Sequence, residues 1–256
     1  ILLMVGLRDV PSSLGLPEHV VETQDCFNEE AFDDTLSKWG VLKKYVLSNR
    51  YIWILAFAYV LIYVVRTAIN DWGAVYLAGQ IYDNKATLAD NTMSFLEIGG
   101  FLGSLAAGWL SDIGFKGRRG QTNVIFSVGM VFAVLMLWKL PGHSFILHAL
   151  AIFLIGFFVF GPQMLIGVAA AELSHKRAAG AATGFVGLFG YLGAALTGYP
   201  MSQLISAVGW SGAFIALFLC GVLATYVLAC TWSVTSRSKS GIMSNMASAT
   251  NCKTAS

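Results

Sequence analysis

The chain has 256 residues, of which 56% are hydrophobic and 12% are charged, and its mean hydropathy is +0.67. An ordinary soluble domain carries about one-quarter charged residues, so this composition excludes a typical soluble protein and predicts an integral membrane protein. The formal net charge of +2 gives no support for nucleic-acid binding, and we expect the lipid bilayer, not a nucleic acid, to surround the chain.

Residues 1–50 precede the first long apolar segment. The opening ILLMVGL is hydrophobic but too short to span a bilayer or to act as a signal peptide, and it is interpreted as the end of a preceding span. The stretch from Arg8 to Arg50 is polar and acidic and contains two prolines. It is interpreted as a cytoplasmic central linker between two membrane halves, with a plain N-terminal tail as the alternative.

Six apolar segments follow, each close to the ~20 residues that a transmembrane helix needs. The predicted helices occupy residues 51–71, 92–111, 122–140, 145–168, 184–206 and 211–233. Basic residues concentrate before the first helix, after the second, after the fourth and after the sixth. The positive-inside rule therefore places both ends of the bundle in the cytoplasm. Residues 234–256, rich in Ser, Ala, Thr and Asn, are predicted to form a polar cytoplasmic tail.

The first predicted helix carries a cation well inside its apolar sequence. Arg66 follows Tyr59 and Tyr63 and precedes Asn70, with spacings of four, three and four residues that place all of them on one helical stripe. An arginine at a helix centre costs roughly 2.5–3.5 kcal/mol, so it usually faces a partner, a cavity or an anionic ligand. A guanidinium with neighbouring phenols and an amide suits an oxyanion such as phosphate.

Two carboxylates offer Arg66 a different partner. Asp71 lies near the end of the first helix, and Glu97 lies about a turn and a half into the second. We expect both to act in gating, through ion pairs that break and reform as substrate competes for the arginine. Static pairing that only holds helices together is the alternative.

Small residues indicate how the helices pack. The second helix carries the row Gly99, Gly103 and Ala107, and the fifth carries a glycine at every third position from 184 to 193. Small residues allow close approach of helices in lipid, so both rows are predicted to be packing surfaces.

The fourth helix contains Gly161 and Pro162 between Phe160 and Gln163. Proline removes one backbone hydrogen bond, so the pair is predicted to bend or interrupt this helix beside a transport cavity. Phe160 and Gln163 are therefore candidate binding residues.

Catalytic and metal-binding patterns are absent from the sequence. The four cysteines show no CxxC spacing, and no nucleophile–base motif, phosphate-binding loop or zinc motif is present. We expect no metal, no cofactor and no enzymatic activity.

Several longer strings resemble one family. YVVRTAINDWG, GWLSDIGFKGRRG and FVFGPQMLIGVAAAELSHKRAAGAATGFVGLFGYLGA resemble the C-terminal half of Major Facilitator Superfamily carriers of the organophosphate:phosphate antiporter family, in its hexose phosphate transporter and sensor branch. The second string is similar to the superfamily's loop motif, here formed by Gly108, Asp112, Lys116, Arg118 and Arg119. The resemblance implies an all-α membrane protein whose six helices form half of a transporter.

The resemblance also implies a function. It suggests exchange of a hexose phosphate, with glucose 6-phosphate as first choice, for inorganic phosphate by alternating access across a bacterial inner membrane. Arg66 matches a phosphate-binding arginine, Tyr63 and Tyr191 match aromatic residues lining the site, and Asp71 and Glu97 match salt-bridging acids. A second arginine is expected on a missing N-terminal six-helix half. The alternative is a membrane sensor that binds sugar phosphate and signals to a kinase.

Overall fold

The computed structural model describes residues 38–232 apart from 116, 143 and 175–177, and all regular structure in these residues is helical. A short helix, Lys38–Val41, and a π-helical turn, Leu42–Leu47, come first. Six long helices follow: α1 Arg50–Tyr76, α2 Ala86–Trp109, α3 Arg119–Lys139, α4 Phe145–Glu172, α5 Ala179–Leu196 and α6 Tyr199–Ala229. Helices α1 and α2 each continue into a π-helical turn, Leu77–Ile81 and Leu110–Gly114.

The described residues end short of both predicted terminal segments. The hydrophobic opening, most of the central linker and the polar tail lie outside them, so those interpretations stay predictions. The last part of the predicted linker is described and differs from a plain polar connection. It is helical, and Val46 is fully buried against the bundle.

Five helical stretches of the described chain are long and apolar enough to cross a membrane, whereas the sequence predicts six helices. The fifth, Ala179–Ala229, has 51 residues. At 1.5 Å per residue it would extend about 75 Å, more than twice the ~30 Å hydrocarbon core. It therefore has the length of two spans.

Contacts show that this long stretch runs along the bundle and returns. Trp72 Nε1 donates to the carbonyl of Thr197 at 2.7 Å, and the Trp210 ring lies 5.2 Å from that of Tyr76. Further on, Gly221 packs near Met130 on α3, and the carbonyl of Thr231 lies against Gly120 at the start of α3. The all-helical membrane fold is thus confirmed.

The predicted turn between the last two spans, after residue 206 and before residue 211, is confirmed. Gly209 lies there with a φ of 78°, which is accessible to glycine at little cost, and the helix is interrupted at this residue. The structure adds a break that the sequence analysis did not predict, after Leu196, because Pro200 lacks a backbone N–H and suits the first turn of a new helix. The apolar composition is continuous at this earlier point, so hydropathy alone did not place it.

Asn49 fixes the start of α1. Its side chain accepts from the backbone N–H of Tyr51 at 3.0 Å, which satisfies one of the free donors at the helix start. Its Nδ2 also donates to the carbonyl of Leu173, at 2.8 Å, just after α4 ends. One side chain therefore caps α1 and ties it to the end of α4.

Helices α2 and α4 pack backbone to backbone. A Cβ atom at Gly99 or Gly103 would collide with the carbonyls of Phe153 and Phe157, and one at Gly156 would collide with the carbonyl of Leu96. Such close approach is possible only between glycines and a facing backbone. The predicted packing role of Gly99 and Gly103 is confirmed.

The glycine row of α5 is used only in part. Gly190 lies against the rings of Tyr59 and Tyr63 on α1, and Gly193 lies against the Val60 carbonyl. Gly184 and Gly187 have no described atom within 4 Å of where a Cβ would stand. The packing prediction holds for two of the four glycines.

Pro162 does not interrupt α4. The helix is continuous from Phe145 to Glu172 with the proline inside it. The predicted interruption is therefore wrong, while the alternative of a bend stays a prediction. Both Gly161 and Pro162 are buried, where neighbouring helices can accommodate the lost hydrogen bond.

The α2–α4 contact predicts a stability difference between two glycines. Gly103→Ala should destabilise the purified intact gene product by about 1–3 kcal/mol, because the added methyl group must separate two backbones. Gly167→Ala on α4, where the nearest atom would be 3.9 Å from the added methyl group, is the matched control and should not destabilise the protein. Thermal unfolding in detergent measures both, and equal melting temperatures for the two variants would contradict the packing described.

Candidate functional site

The candidate site lies where α1 and α4 run side by side in opposite directions. Gln163 Nε2 on α4 donates to the Tyr63 hydroxyl on α1 at 3.2 Å. One turn further along α1 and one turn back along α4, the guanidinium carbon of Arg66 lies 4.7 Å from the centre of the Phe160 ring. The two pairs form one cluster in which each helix contributes an aromatic and a polar side chain.

Arg66 stands near the middle of its membrane-length helix. It lies about 24 Å along the helix axis from Arg50, within a stretch of 32 residues that ends at Ile81. It is partly buried, and its guanidinium is also 5.7 Å from the Tyr63 ring centre. Aromatic ring faces attract a cation by roughly 0.5–2 kcal/mol, so these two rings offset part of the cost of its position.

The guanidinium retains free hydrogen-bonding capacity. Its Nε atom is buried and has no hydrogen-bond partner among the described residues, and the salt bridges of that part of the chain do not include Arg66. A charged donor that is left unpaired in a low-dielectric site is costly. The position is therefore suited to an anionic group that arrives from outside the chain.

Tyrosine rings line the side of the cluster that faces α5. The rings of Tyr59 and Tyr63 are 4.7 Å apart, and those of Tyr63 and Tyr191 are 6.3 Å apart. Gly190 allows this approach, since a side chain there would meet the rings of Tyr59 and Tyr63. Tyr191 is 72% exposed, so the cluster opens at this edge of the bundle.

Phe160 is held against Arg66 by a glycine of α2. A Cβ atom at Gly100 would come within 2.7–2.9 Å of the Phe160 ring. The ring thus fills the space between a bare backbone on one side and a guanidinium on the other. Gly100 supports the site without touching the arginine.

Three residues predicted for the site form no hydrogen bond or ion pair with this cluster in the described chain. Asn70 is exposed and donates to the Asp71 carboxylate at 2.9 Å, and Asp71 is itself exposed. Glu97 is exposed on α2. Neither carboxylate forms an ion pair with Arg66 in the described chain, so static pairing of Arg66 with Asp71 or Glu97 is contradicted in this structure. Although Glu97 lies within the second apolar segment, no described residue covers its face of α2.

The loop motif forms a second polar cluster. Arg119 Nη1 donates to Asp112 at 2.6 Å and to the Ser111 hydroxyl at 3.0 Å, while Nη2 donates to Glu172 at 3.1 Å. Arg119 begins α3 instead of lying in the loop, and it joins the ends of α2 and α4. A Cβ atom added at Gly108 would meet only the end of the Met164 side chain, at an ordinary van der Waals distance.

The remaining motif residues add nothing to this cluster. Arg118 is exposed at the start of α3, where its side chain does not cap the helix, and Lys116 lies outside the described residues.

Comparison with known protein families matches residues 2–198 to the Major Facilitator Superfamily. The chain belongs to this superfamily. It is a multi-pass membrane protein, and the relatives described below are transport proteins and a sensor rather than enzymes.

Individual relatives show which members of the superfamily the chain is similar to. The chain is 48% identical to the membrane sensor protein UhpC of Escherichia coli over 87% of its length and 51% of the relative's. It is 46% identical to a probable hexose phosphate transport protein of Chlamydia muridarum, over 93% of this chain and 54% of the relative. It is 36% identical to the hexose-6-phosphate:phosphate antiporter of Escherichia coli, over 85% and 49%.

These matches confirm the predicted resemblance to organophosphate:phosphate antiporters. The chain spans about half the length of the relatives it matches.

Sequence reasoning missed two supporting residues of this superfamily member. Glu172, which pairs with Arg119, stands at the end of the fourth apolar segment, just before the basic HKR. An acid at a helix end on the same side as the basic loop was an available signal for this pair. Gly100 had no comparable signal, since its role depends on the distance between α2 and α4.

The packing of Phe160 predicts that Gly100→Ala changes the arginine site. The added methyl group should displace the ring and weaken anion binding at Arg66, probed with phosphate on the intact gene product, about 5- to 30-fold, equivalent to roughly 1–2 kcal/mol. Gly167→Ala on α4, where the nearest atom would be 3.9 Å away, is the control. Binding of labelled phosphate to both variants is the measurement, and an unchanged affinity in Gly100→Ala would contradict the role given to Phe160.

The Arg119–Glu172 contact predicts a modest energetic coupling. The two side chains are partly exposed, with relative accessibilities of 18% and 32%, so a double-mutant cycle with Arg119→Met and Glu172→Gln should give about 0.5–1 kcal/mol. Thermal unfolding of the four proteins at low and high salt measures this coupling. A value that does not fall as salt rises would show that the contact is not an ion pair in solution.

Proposed function

We propose that the protein transports a hexose phosphate across a bacterial inner membrane in exchange for inorganic phosphate. Glucose 6-phosphate is the first candidate substrate. The proposal is supported by similarity to a hexose phosphate transport protein and to a hexose-6-phosphate:phosphate antiporter. It makes the chain a carrier and not an enzyme.

The observation that carries the proposal is the state of Arg66. A guanidinium in the middle of a membrane-length helix has aromatic neighbours but no carboxylate partner among the described residues. A phosphate group supplies what is missing, because its oxygens accept from both edges of a guanidinium and its charge neutralises the cation. Binding is then strongest where solvent is excluded.

The other site residues receive roles around the phosphate. Tyr63, Tyr191 and Phe160 are proposed to form the wall of the site, and Gln163 to contact the polar part of the substrate. Asn70 is proposed to line the path towards the site from the end of α1. It is exposed and lies one helical turn beyond Arg66, which suits an entry position.

Asp71 and Glu97 are proposed to act in other states of the transport cycle. Both are exposed here and neither pairs with Arg66. When the phosphate leaves, a carboxylate that moves towards Arg66 would replace its charge, and returning substrate would displace the carboxylate again. Occupancy of the site would thus be linked to opening and closing of the cavity.

A single guanidinium neutralises only half of a phosphate dianion. We therefore propose that the chain acts as the C-terminal half of a carrier, with a second six-helix half contributing another arginine across a central cavity. The exposed edge at Tyr191 is compatible with such a partner surface. The distribution of basic residues supports cytoplasmic placement of both ends of the bundle.

A sensor is the second candidate function. The 48% identity to the membrane sensor protein UhpC favours it. In that case the same arginine site would bind sugar phosphate, and the conformational change would reach a kinase instead of carrying the ligand across the membrane.

Replacing Arg66 tests the site. Arg66→Lys should reduce phosphate exchange by the intact gene product in proteoliposomes about 10- to 100-fold, because an ammonium keeps the charge but loses the bidentate geometry. Arg66→Ala should reduce it further. Lys85→Ala, an exposed cation at the start of α2, is the control, and exchange by Arg66→Ala at the control's rate would refute the proposed role.

Uptake separates the two functions. Phosphate-loaded vesicles containing a carrier should accumulate labelled glucose 6-phosphate faster than labelled glycerol 3-phosphate, and should do so only when phosphate is inside. A sensor should bind the same compound with Arg66-dependent affinity and show no counterflow. Binding and uptake measured on one preparation distinguish these outcomes.

A further inference from the structure

One buried hydrogen-bond donor and one buried acceptor in this cluster lack a partner among the described residues. Arg66 Nε is a donor and Gln163 Oε1 is an acceptor, and neither has a hydrogen-bond partner among the described residues. A buried polar atom that stays unpaired is destabilising, because it has lost its hydrogen bonds to water. The pair indicates a ligand that brings both an acceptor and a donor.

The Gln163 amide is held in position by α1. Its Nε2 donates to the Tyr63 hydroxyl at 3.2 Å, so its Oε1 is directed away from that bond. Arg66 is one turn from Tyr63 on α1, and Gln163 is one turn from Phe160, the ring that contacts Arg66. Neighbours one turn apart are roughly 5–6 Å apart at Cβ, so the free carbonyl lies within one small molecule's reach of the guanidinium.

Phosphate compounds differ in the hydrogen-bond donors and acceptors that they present to such a site. A fully ionised phosphate monoester carries only acceptor oxygens on phosphorus, which suit the guanidinium but not a glutamine carbonyl. A hydrogen-bond donor must then come from a hydroxyl on the carbon skeleton. Inorganic phosphate in its HPO₄²⁻ form carries its own donor as a P–OH group.

We propose that Gln163, oriented by Tyr63, is a specificity residue that accepts a hydrogen bond from a substrate hydroxyl close to the phosphate bound at Arg66. The proposal rests on the proposed function, since it takes Arg66 as the phosphate position. It defines the ligand class as phosphate monoesters of polyols or sugars that carry a hydroxyl on the carbon skeleton within reach of the glutamine carbonyl. It also explains how a single amide serves both exchanged species, through a sugar O–H or through the P–OH of HPO₄²⁻.

The test pairs substrate changes with protein changes. Affinities of glucose 6-phosphate and of analogues that each lack one hydroxyl are measured for the intact gene product, for Gln163→Leu and for Tyr63→Phe. In the unchanged protein, one analogue should bind about 10-fold more weakly than glucose 6-phosphate. That difference should disappear in Gln163→Leu and shrink in Tyr63→Phe, which removes the group that orients the amide.

Two controls keep the result interpretable. Methyl phosphate has no hydroxyl on its carbon, so Gln163→Leu should bind it within about twofold of the unchanged protein, which also shows that the variant is folded. Gln203→Leu replaces an exposed glutamine of α6 and should leave every affinity unchanged.

Three outcomes would overturn the proposal. One is an analogue series with no loss that depends on Gln163. Another is recovery of affinity when fluorine replaces the missing hydroxyl, because fluorine cannot donate. The third is loss of methyl phosphate binding in Gln163→Leu. Each leaves the proposed function standing if Arg66→Ala still abolishes phosphate binding, whereas binding that survives Arg66→Ala overturns both.

Discussion

The structure depends on how one guanidinium is accommodated within a membrane-length helix. Arg66 meets the faces of Phe160 and Tyr63, and neither ring can neutralise a full charge. Carboxylates are present on α1 and α2, yet Asp71 bonds to Asn70 and Glu97 is exposed. A fully paired arginine would hold the helices together but would have little affinity left for a phosphate. Incomplete pairing is the property that a reversible phosphate site needs.

Helix packing determines how that environment is built. Glycines at 99, 103 and 156 bring the backbones of α2 and α4 together, and Gly100 then leaves space for the Phe160 ring beside the arginine. On the other side, Gly190 lets α5 approach Tyr59 and Tyr63. Glycines that look equivalent in sequence therefore have different structural roles, because only those facing another helix affect the site. In lipid, where apolar burial does not drive helices together, such close contacts supply much of the association energy.

Much of this arrangement could be predicted from the sequence, and the failures have physical causes. The stripe of Tyr59, Tyr63 and Arg66 follows from helical spacing, and its contact with Phe160 and Gln163 agrees with the candidates chosen on α4. Asn70 continues the stripe one turn beyond Arg66, where its side chain donates to Asp71, so its predicted contact with substrate stays a prediction. The exposure of Glu97 could not be predicted, because hydropathy shows that a residue lies in an apolar segment and not which face of the helix is covered. The helix break before Tyr199 was missed for a related reason, since apolar composition does not change there.

Arg119 shows that the role of an arginine depends on how many hydrogen-bond and ion-pair partners the fold places around it. Its guanidinium bonds to Asp112, Ser111 and Glu172 at the end of three helices, where water also reaches the carboxylates. An arginine with three protein partners gains little from an additional anion, and separating it from those partners loses charge-assisted bonds. Such a cluster resists relative movement of α2, α3 and α4 until the contacts break together. Arg66 has the opposite balance, since an arriving anion adds bonds without breaking any that the described residues make. Arginine therefore suits a structural role at the helix ends, where it joins helices, and a binding role in the middle of a span. The difference lies in the neighbouring residues that the fold provides.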